Sequence, residues 1–172
     1  DMVFDSEGRR LPEGAPHLFT LTDFLDQTWA HRSYWIFGTH CSISTGCSGR
    51  DKNLIYGRLL VFDRSTIYGY GRSGVHWSNQ LEDGAYRLFA LNRDDRVARW
   101  ARPVPIQARA LVLAGEVLFA AGPRTDAGTT AEASAGSHAA LLLAVSASDG
   151  SELARYPLDA LPVFDGMAAA TG

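Results

Sequence analysis

The sequence has few residues of several kinds, and these scarcities exclude some classes of protein. It contains one lysine, two cysteines and two methionines in 172 residues. No apolar run approaches the roughly 20 residues that a membrane-spanning helix needs, so the sequence predicts no transmembrane segment. The sequence has sixteen Lys and Arg residues and nineteen Asp and Glu residues, which gives a net charge of −3. The chain therefore lacks the basic footprint of a nucleic-acid-binding protein, and we expect no nucleic-acid partner.

Signature motifs of common enzymes are also missing. There is no nucleophile elbow, no zinc-protease helix motif, no phosphate-binding glycine loop and no EF-hand. The hydrophobic fraction is 46% and the charged fraction 20%, values that allow a buried core and argue against wholesale disorder. The sequence therefore predicts a folded chain whose function does not follow from a familiar catalytic pattern.

The two cysteines lie on one loop rich in glycine and serine. Five residues separate Cys41 from Cys47, which suits a small disulfide-closed loop in an oxidising compartment or a pair of free structural thiols. His40 beside Cys41 raises a metal site as a further alternative, but the spacing does not match the usual zinc patterns. We predict no metal here, and we predict that Cys41 and Cys47 lie close enough to bridge, with Cα atoms within about 7 Å.

Three segments each join a short apolar strand to a second strand through a tight turn. They cover residues 59–70, 110–121 and 141–156, with turns near Asp63-Arg64, Ala114-Gly115 and Asp149-Gly150. Hairpins at regular spacing predict an all-β repeat architecture, and a β-propeller is the architecture that we favour. Propeller blades of four antiparallel strands take about 40–50 residues each. We therefore expect a partial propeller of about three to four blades in residues 17–172, after an extended segment at 1–16.

The remaining segments predict isolated strands and loops. Residues 34–37 and 86–91 are expected to be strands, and residues 93–96 a charged turn. Residues 123–138, which hold few large apolar side chains, predict a long loop. Residues 162–172 have the form of a last strand followed by a turn, with no returning strand. Because an unpaired edge exposes backbone donors and acceptors, we expect pairing with another polypeptide or with the remainder of its own propeller.

The segment SASDGSELARY at 146–156 resembles the quinoprotein-type repeat A-x-D-x-x-D/T-G-x-x-L/V-W, with Tyr156 where tryptophan is usual. The wider pattern is similar to the C-terminal portion of large PQQ-like β-propeller proteins of planctomycete-type bacteria. It is carried by FLDQTW (24–29), HRSYW (31–35), LVFD (60–63), YGYG (68–71) and PVFDGMAA (162–169). The resemblance implies a propeller in an exported protein, either periplasmic or extracellular. It does not imply bound PQQ.

The densest cluster of reactive side chains lies at residues 23–35. Its ligand-binding candidates are Asp26, Trp29, His31, Arg32 and Trp35. Aromatic stacking and an arginine for an anion would suit a sugar or a quinone. In the alternative that we favour, the aromatic side chains pack between blades while Asp26 and Arg32 pair to tie a loop.

Two classes of function follow. The first is a non-catalytic propeller that serves as a scaffold or interaction module, with no cofactor, in a larger exported protein or assembly. The alternative is a quinoprotein-like oxidoreductase domain that binds PQQ with calcium. Such an enzyme needs calcium ligands from Glu, Asn and Asp and an Asp base, and no such set assembles from this sequence. The sequence therefore favours the scaffold.

Overall fold

The structure of the protein is a computed structural model, and it describes residues 3–4, 7–11, 16–20, 35–39, 55–72, 86–125 and 140–170. All regular elements in these ranges are β-strands, and no helix occurs among them. The predicted all-β fold is therefore confirmed for the described residues. The chain divides into two compact units, residues 1–57 with 74–79 and residues 58–73 with 80–172.

The first unit contains two small antiparallel sheets. β1 (Val3–Phe4) pairs with β2 (Arg10–Leu11). β3 (His17–Thr20), β4 (Trp35–Gly38) and β5 (Ile55–Gly57) form a three-stranded sheet in that order. β4 confirms the strand that the aromatic run at 34–37 predicts. Its Phe37 pairs with Ile55 of β5, and both side chains are buried.

The second unit contains two four-stranded antiparallel sheets, each with its strands in sequence order. The first sheet comprises β6 (Leu59–Phe62), β7 (Thr66–Arg72), β8 (Tyr86–Asn92) and β9 (Ala98–Pro103). The second comprises β10 (Ala110–Ala114), β11 (Val117–Pro123), β12 (Ala140–Ser146) and β13 (Glu152–Leu158). All three predicted hairpins are confirmed, with their turns where the sequence placed them.

The turn between β6 and β7 shows why the chain reverses at this point. One carboxylate oxygen of Asp63 accepts hydrogen bonds from the backbone N–H groups of Ser65 and Thr66, both at 2.7 Å. Partial burial raises the pKa of Asp63, but these hydrogen bonds outweigh it, and its pKa lies below the usual value. An ionised side chain therefore holds the turn, as aspartate commonly does in such positions.

The core of the second unit lies between its two sheets. Leu59, Tyr68 and Leu88 of the first sheet pack in one cluster with Leu118 and Leu143 of the second. Members of this cluster on one strand are two residues apart, as Tyr68 and Tyr70 are on β7, and so they lie on the same face of the sheet. The two sheets are therefore joined by an apolar layer rather than by polar contacts alone.

A buried tyrosine adds a polar contact to this core. The hydroxyl of Tyr70 donates to the carbonyl of Ile106 at 3.1 Å, and its ring stacks on Tyr86 with centroids 5.2 Å apart. Burial raises the pKa of Tyr70 far above its usual value. This hydroxyl is therefore protonated and acts as a donor at neutral pH.

The predicted strand at the C-terminal end is wrong for its described residues. Residues 162–170 contain no strand. Phe164 and Asp165 form a turn, and the positive φ of 54° at Asp165 ends any extended run. The N–H of Asp165 donates to the carbonyl of Arg109 at 2.7 Å, and Phe164 packs against the core. The described residues therefore contain no terminal strand that would need a partner at this end.

Two other expectations change in detail. β9 is a six-residue strand that the sequence analysis did not predict, because its pattern ARWARP offers a single large apolar residue. The loop expected at 123–138 starts later, since Pro123 belongs to β11 and Arg124 forms a bridge with Ile106. Residues 126–138 lie outside the described ranges.

Candidate functional site

Trp35 is the one ligand-binding candidate that falls in the described residues. It begins β4, is half-buried, and pairs along the backbone with Thr20 and Gly57. Asp26, Trp29, His31 and Arg32 lie outside the described residues, so the proposed cluster stays a prediction. Cys41 and Cys47 also lie outside, and their disulfide stays a prediction too.

The candidate site that the structure describes in most detail lies in the second unit. There the second four-stranded sheet repeats the first. Leu59 pairs with Tyr70 as Ala110 pairs with Ala121, 51 residues later. Ala90 opposes Trp100 as Ala144 opposes Ala154, 54 residues later. Both outer strands shift register immediately after this pair, so Arg99 and Leu153 are corresponding bulge residues. Residues of the two sheets can therefore be compared one by one.

The turn before the outer strand also repeats its hydrogen bonds. The N–H of Arg93 donates to the carbonyl of Ser65 at 2.8 Å in the first sheet, and the N–H of Ala147 donates to Glu116 at 2.9 Å in the second. We call residues 92–97 the first docking turn and residues 146–151 the second docking turn. Their common backbone pattern means that differences between them lie in the side chains.

The second docking turn is seated on the outer strand of the first sheet. The indole Nε1–H of Trp100 donates to the carbonyl of Ala147 at 3.0 Å, and the side chain is 7% exposed. Gly150 lies against the indole ring, because a Cβ built there would come within 2.6 Å of Trp100 Cε3. The contact combines burial of a large aromatic ring with satisfaction of its polar N–H.

Residues of the second docking turn hold its backbone in the conformation that packs on Trp100. Gly150 has a φ of +74°, a conformation that glycine adopts without steric penalty. The backbone N–H of Ser151 donates to the Asp149 carboxylate at 3.0 Å, and this hydrogen bond lowers the pKa of Asp149. Arg102 approaches from the outer strand, with its guanidinium 3.5 Å from the carbonyl of Asp149. The turn is therefore held by its own residues, and Trp100 and Arg102 of β9 form the surface on which it packs.

The docked aromatic residue is Trp100, which the sequence pattern did not indicate; the pattern placed the aromatic position at Tyr156. In the structure, Ala154 corresponds to Trp100 and Tyr156 corresponds to Arg102. Tyr156 is 52% exposed, whereas Trp100 is 7% exposed. The missed signal is ALNRDDRVARW at 90–100, in which a polar turn is followed by a tryptophan. Arg96 stands where the second sheet has Gly150, and its φ of +61° keeps the backbone conformation of that glycine.

Polar side chains in or beside the first docking turn form hydrogen bonds with residues of neighbouring strands and turns. Arg99 donates to the buried hydroxyl of Thr66 at 2.7 Å. Arg93 donates to the carbonyl of Asp63 at 3.2 Å and lies over the ring of Phe62, with its guanidinium carbon 5.3 Å from the centroid. These contacts tie β9 to β7, and the turn after β8 to the end of β6 and the turn that follows it. They form a structural network rather than a set of groups poised for chemistry.

A second group of polar side chains lies near the start of β6 and β10. The guanidinium carbon of Arg58 lies 5.3 Å from the ring centroid of Phe164, a favourable cation–π geometry. Burial raises the pKa of the neighbouring Asp165. These contacts hold residues 162–167 against the sheets. Residues 163–166 thus form a turn, closed by the hydrogen bond from the N–H of Gly166 to the carbonyl of Val163 at 3.3 Å.

Large apolar side chains are exposed at a few positions in the described residues: Phe62, Val97, Leu153, Tyr156 and Val163. The first two belong to the turn end of the first sheet, and the other three to β13 and the segment after it. Contiguous exposed apolar patches commonly mark interaction surfaces, whereas apolar side chains exposed singly are ordinary.

Other kinds of site leave no sign in the described ranges. Those ranges hold no group of three or more His, Cys, Asp or Glu side chains arranged to hold a metal ion. They also hold no helix with the length and hydrophobicity to cross a bilayer. Comparison with protein-family models gives no match for this chain, and comparison with curated proteins gives none either.

Proposed function

We propose that this chain is part of a β-propeller and serves as a non-catalytic scaffold or interaction module in a larger exported protein or assembly. The observation that carries the proposal is the seating of the second docking turn on Trp100. The second sheet repeats the first and attaches to it through a turn on an outer strand. Further sheets attach by the same contact, and repetition of four-stranded sheets about an axis is how propellers are built.

The size of the repeat supports this architecture. Corresponding residues of the two sheets are 51 to 54 positions apart. At that spacing, 172 residues hold three repeats, the lower end of the number expected from the sequence. The three-stranded sheet of the first unit is the candidate for the remaining repeat.

The interaction role rests on the surface of β13. Leu153 and Tyr156 are both more than half exposed on an outer strand whose counterpart in the first sheet carries a docked turn. A scaffold needs such a surface, because apolar area buried on association is a main source of binding energy.

Export to the periplasm or the cell exterior is part of the same proposal. It is supported by the resemblance to exported repeat proteins and by the spacing of Cys41 and Cys47, which suits a disulfide in an oxidising compartment. Mass spectrometry of protein alkylated before and after reduction tests this. We expect alkylation at both cysteines only after reduction.

Optical spectroscopy tests the scaffold against the quinoprotein alternative. We expect the purified protein to absorb only in the ultraviolet, from its aromatic side chains. We also expect no saturable change in absorption or tryptophan fluorescence when PQQ and Ca²⁺ are added together. Saturable binding, followed by reduction of an electron-accepting dye on addition of an alcohol or a sugar, would reject the scaffold and favour the oxidoreductase.

A further inference from the structure

Three aspartates in the sequence directly precede a glycine: Asp83, Asp149 and Asp165. Aspartate isomerises most readily in such pairs, because glycine offers the least hindrance when its backbone nitrogen approaches the preceding side chain. Asp83 lies outside the described residues. Asp149 and Asp165 are both described and both exposed. Exposure therefore does not separate these two, and their hydrogen bonds can be compared directly.

The pair Asp149-Gly150 is held against this reaction on both sides. One carboxylate oxygen of Asp149 accepts hydrogen bonds from the N–H and the hydroxyl of Ser151, at 3.0 and 2.8 Å. The N–H of Gly150, whose nitrogen would attack, donates to the carbonyl of Ser146 at 2.9 Å. Gly150 is also buried against the indole of Trp100. Ring closure here would have to break these hydrogen bonds and move a packed turn.

The pair Asp165-Gly166 is held much less firmly. In the part of the chain that the structure describes, no hydrogen bond or ion pair reaches the carboxylate of Asp165. Partial burial raises the pKa of Asp165, so more of its carboxyl group carries the proton that ring closure needs. The N–H of Gly166 donates to the carbonyl of Val163 at 3.3 Å, a longer hydrogen bond than that of Gly150. The φ of 54° at Asp165 is a conformation that costs free energy in any residue with a Cβ.

The fold itself requires glycine at position 166. A Cβ built on Gly166 would collide with Cγ2 of Val163, which belongs to the same turn. Asp165 is fixed in this turn, because its N–H donates to the carbonyl of Arg109 at 2.7 Å. The packing of the turn therefore places after Asp165 the residue that hinders ring closure least.

We propose that Asp165-Gly166 is a site of spontaneous aspartate isomerisation and that Asp149-Gly150 is protected from it. The nitrogen of Gly166 attacks Cγ of the protonated Asp165 side chain and forms a C–N bond. The proton of that nitrogen and the hydroxyl of the carboxyl group leave as water, which gives a cyclic succinimide. Water then adds to either ring carbonyl and reopens the ring, as aspartate or as isoaspartate, whose main chain runs through Cβ and Cγ. Nothing is oxidised or reduced, and water is the only co-reactant.

The reaction changes how residues 162–167 are held. The succinimide nitrogen carries no hydrogen, so the hydrogen bond from Gly166 that closes the turn is lost. Isoaspartate adds one carbon to the main chain, which displaces the N–H of Asp165 from the carbonyl of Arg109. Isomerisation should therefore release this segment from the start of β10.

Incubation of the full chain in water enriched in heavy oxygen, followed by tryptic peptide mapping, tests the proposal. Each ring opening leaves one heavy oxygen in the residue, and fragmentation of the peptide locates it. The peptide that begins at Tyr156 carries Asp165, and the peptide that begins at Thr125 carries Asp149. We expect incorporation at Asp165 to be at least about tenfold faster, since one hydrogen bond to a charged group is worth roughly that factor in rate. Isoaspartate should accumulate at the same position.

Two comparisons separate the effect of the structure from that of the sequence. In urea the contacts at both sites are lost, and the two rates should become similar. Asp165→Glu keeps the charge but would need a larger ring, so it should end incorporation at this position, whereas the matched Asp149→Glu should leave the rate at Asp165 unchanged. Folded protein that incorporates label at Asp149 as fast as at Asp165 would overturn the proposal. So would an Asp165 that stays unlabelled while the sample in urea reacts.

Discussion

Alanine at Gly150 should cost much more stability than alanine at Gly115. Both glycines have positive φ, +74° and +59°, and a residue with a Cβ loses about 1–2 kcal/mol in that region. An added Cβ at Gly115 meets nothing within 4 Å, so this conformational cost is the whole effect there. At Gly150 the Cβ would lie 2.6 Å from Cε3 and 2.8 Å from Cδ2 of Trp100.

The clash at Gly150 forces the turn away from the indole. Part of the burial of Trp100 is then lost, together with its hydrogen bond to Ala147. Complete removal of a buried aromatic side chain costs about 3–5 kcal/mol. Partial undocking plus the positive φ should therefore bring Gly150→Ala to about 3–5 kcal/mol, against about 1–2 kcal/mol for Gly115→Ala.

Urea denaturation of the full chain, followed by circular dichroism and tryptophan fluorescence, measures both losses. The emission of the folded Gly150→Ala variant should also shift to the red, since its indole meets water, whereas that of Gly115→Ala should not. Equal losses for the two variants would refute the argument that Gly150 seats the second sheet on the first.

Three further predictions follow from single contacts. Trp100→Phe should cost about 1 kcal/mol, because it keeps most of the burial but loses one hydrogen bond, whereas Trp100→Ala should cost about 3–5 kcal/mol; comparable losses in urea melts would contradict this. Because the folded pKa of Asp63 is lowered, its ionised form stabilises the fold above its unfolded pKa of about 3.9, and that contribution is lost as pH falls through the folded pKa. Asp63→Asn should therefore make the free energy of unfolding depend less on pH in the acid range. An unchanged pH dependence would show that the contacts with Ser65 carry no charge-dependent energy. Gly122→Ala should remove cooperative unfolding of the second unit, since the new Cβ would collide with the backbone carbonyl of Gln107; a soluble variant with an unaltered melting curve would disprove it.

The sequence by itself determined the hairpins and their turns. Asp63 accepts hydrogen bonds from Ser65 and Thr66, and Asp149 accepts them from the N–H and the hydroxyl of Ser151, so these turns need no distant partner. Alternation of apolar residues on the strands likewise follows from local geometry. Such features are visible in a single sequence because their causes lie within a few residues.

Only the tertiary structure decided which aromatic residue docks and where the chain ends its strands. Trp100 contacts Ala147 and Gly150, which are about fifty residues away, and its own strand looks polar in sequence. Residues 162–167 look extended, yet the hydrogen bond from Asp165 to Arg109 and the packing of Phe164 turn them against the sheets. Their conformation depends on surfaces that exist only once both sheets have formed, and local propensity is weaker than such packing.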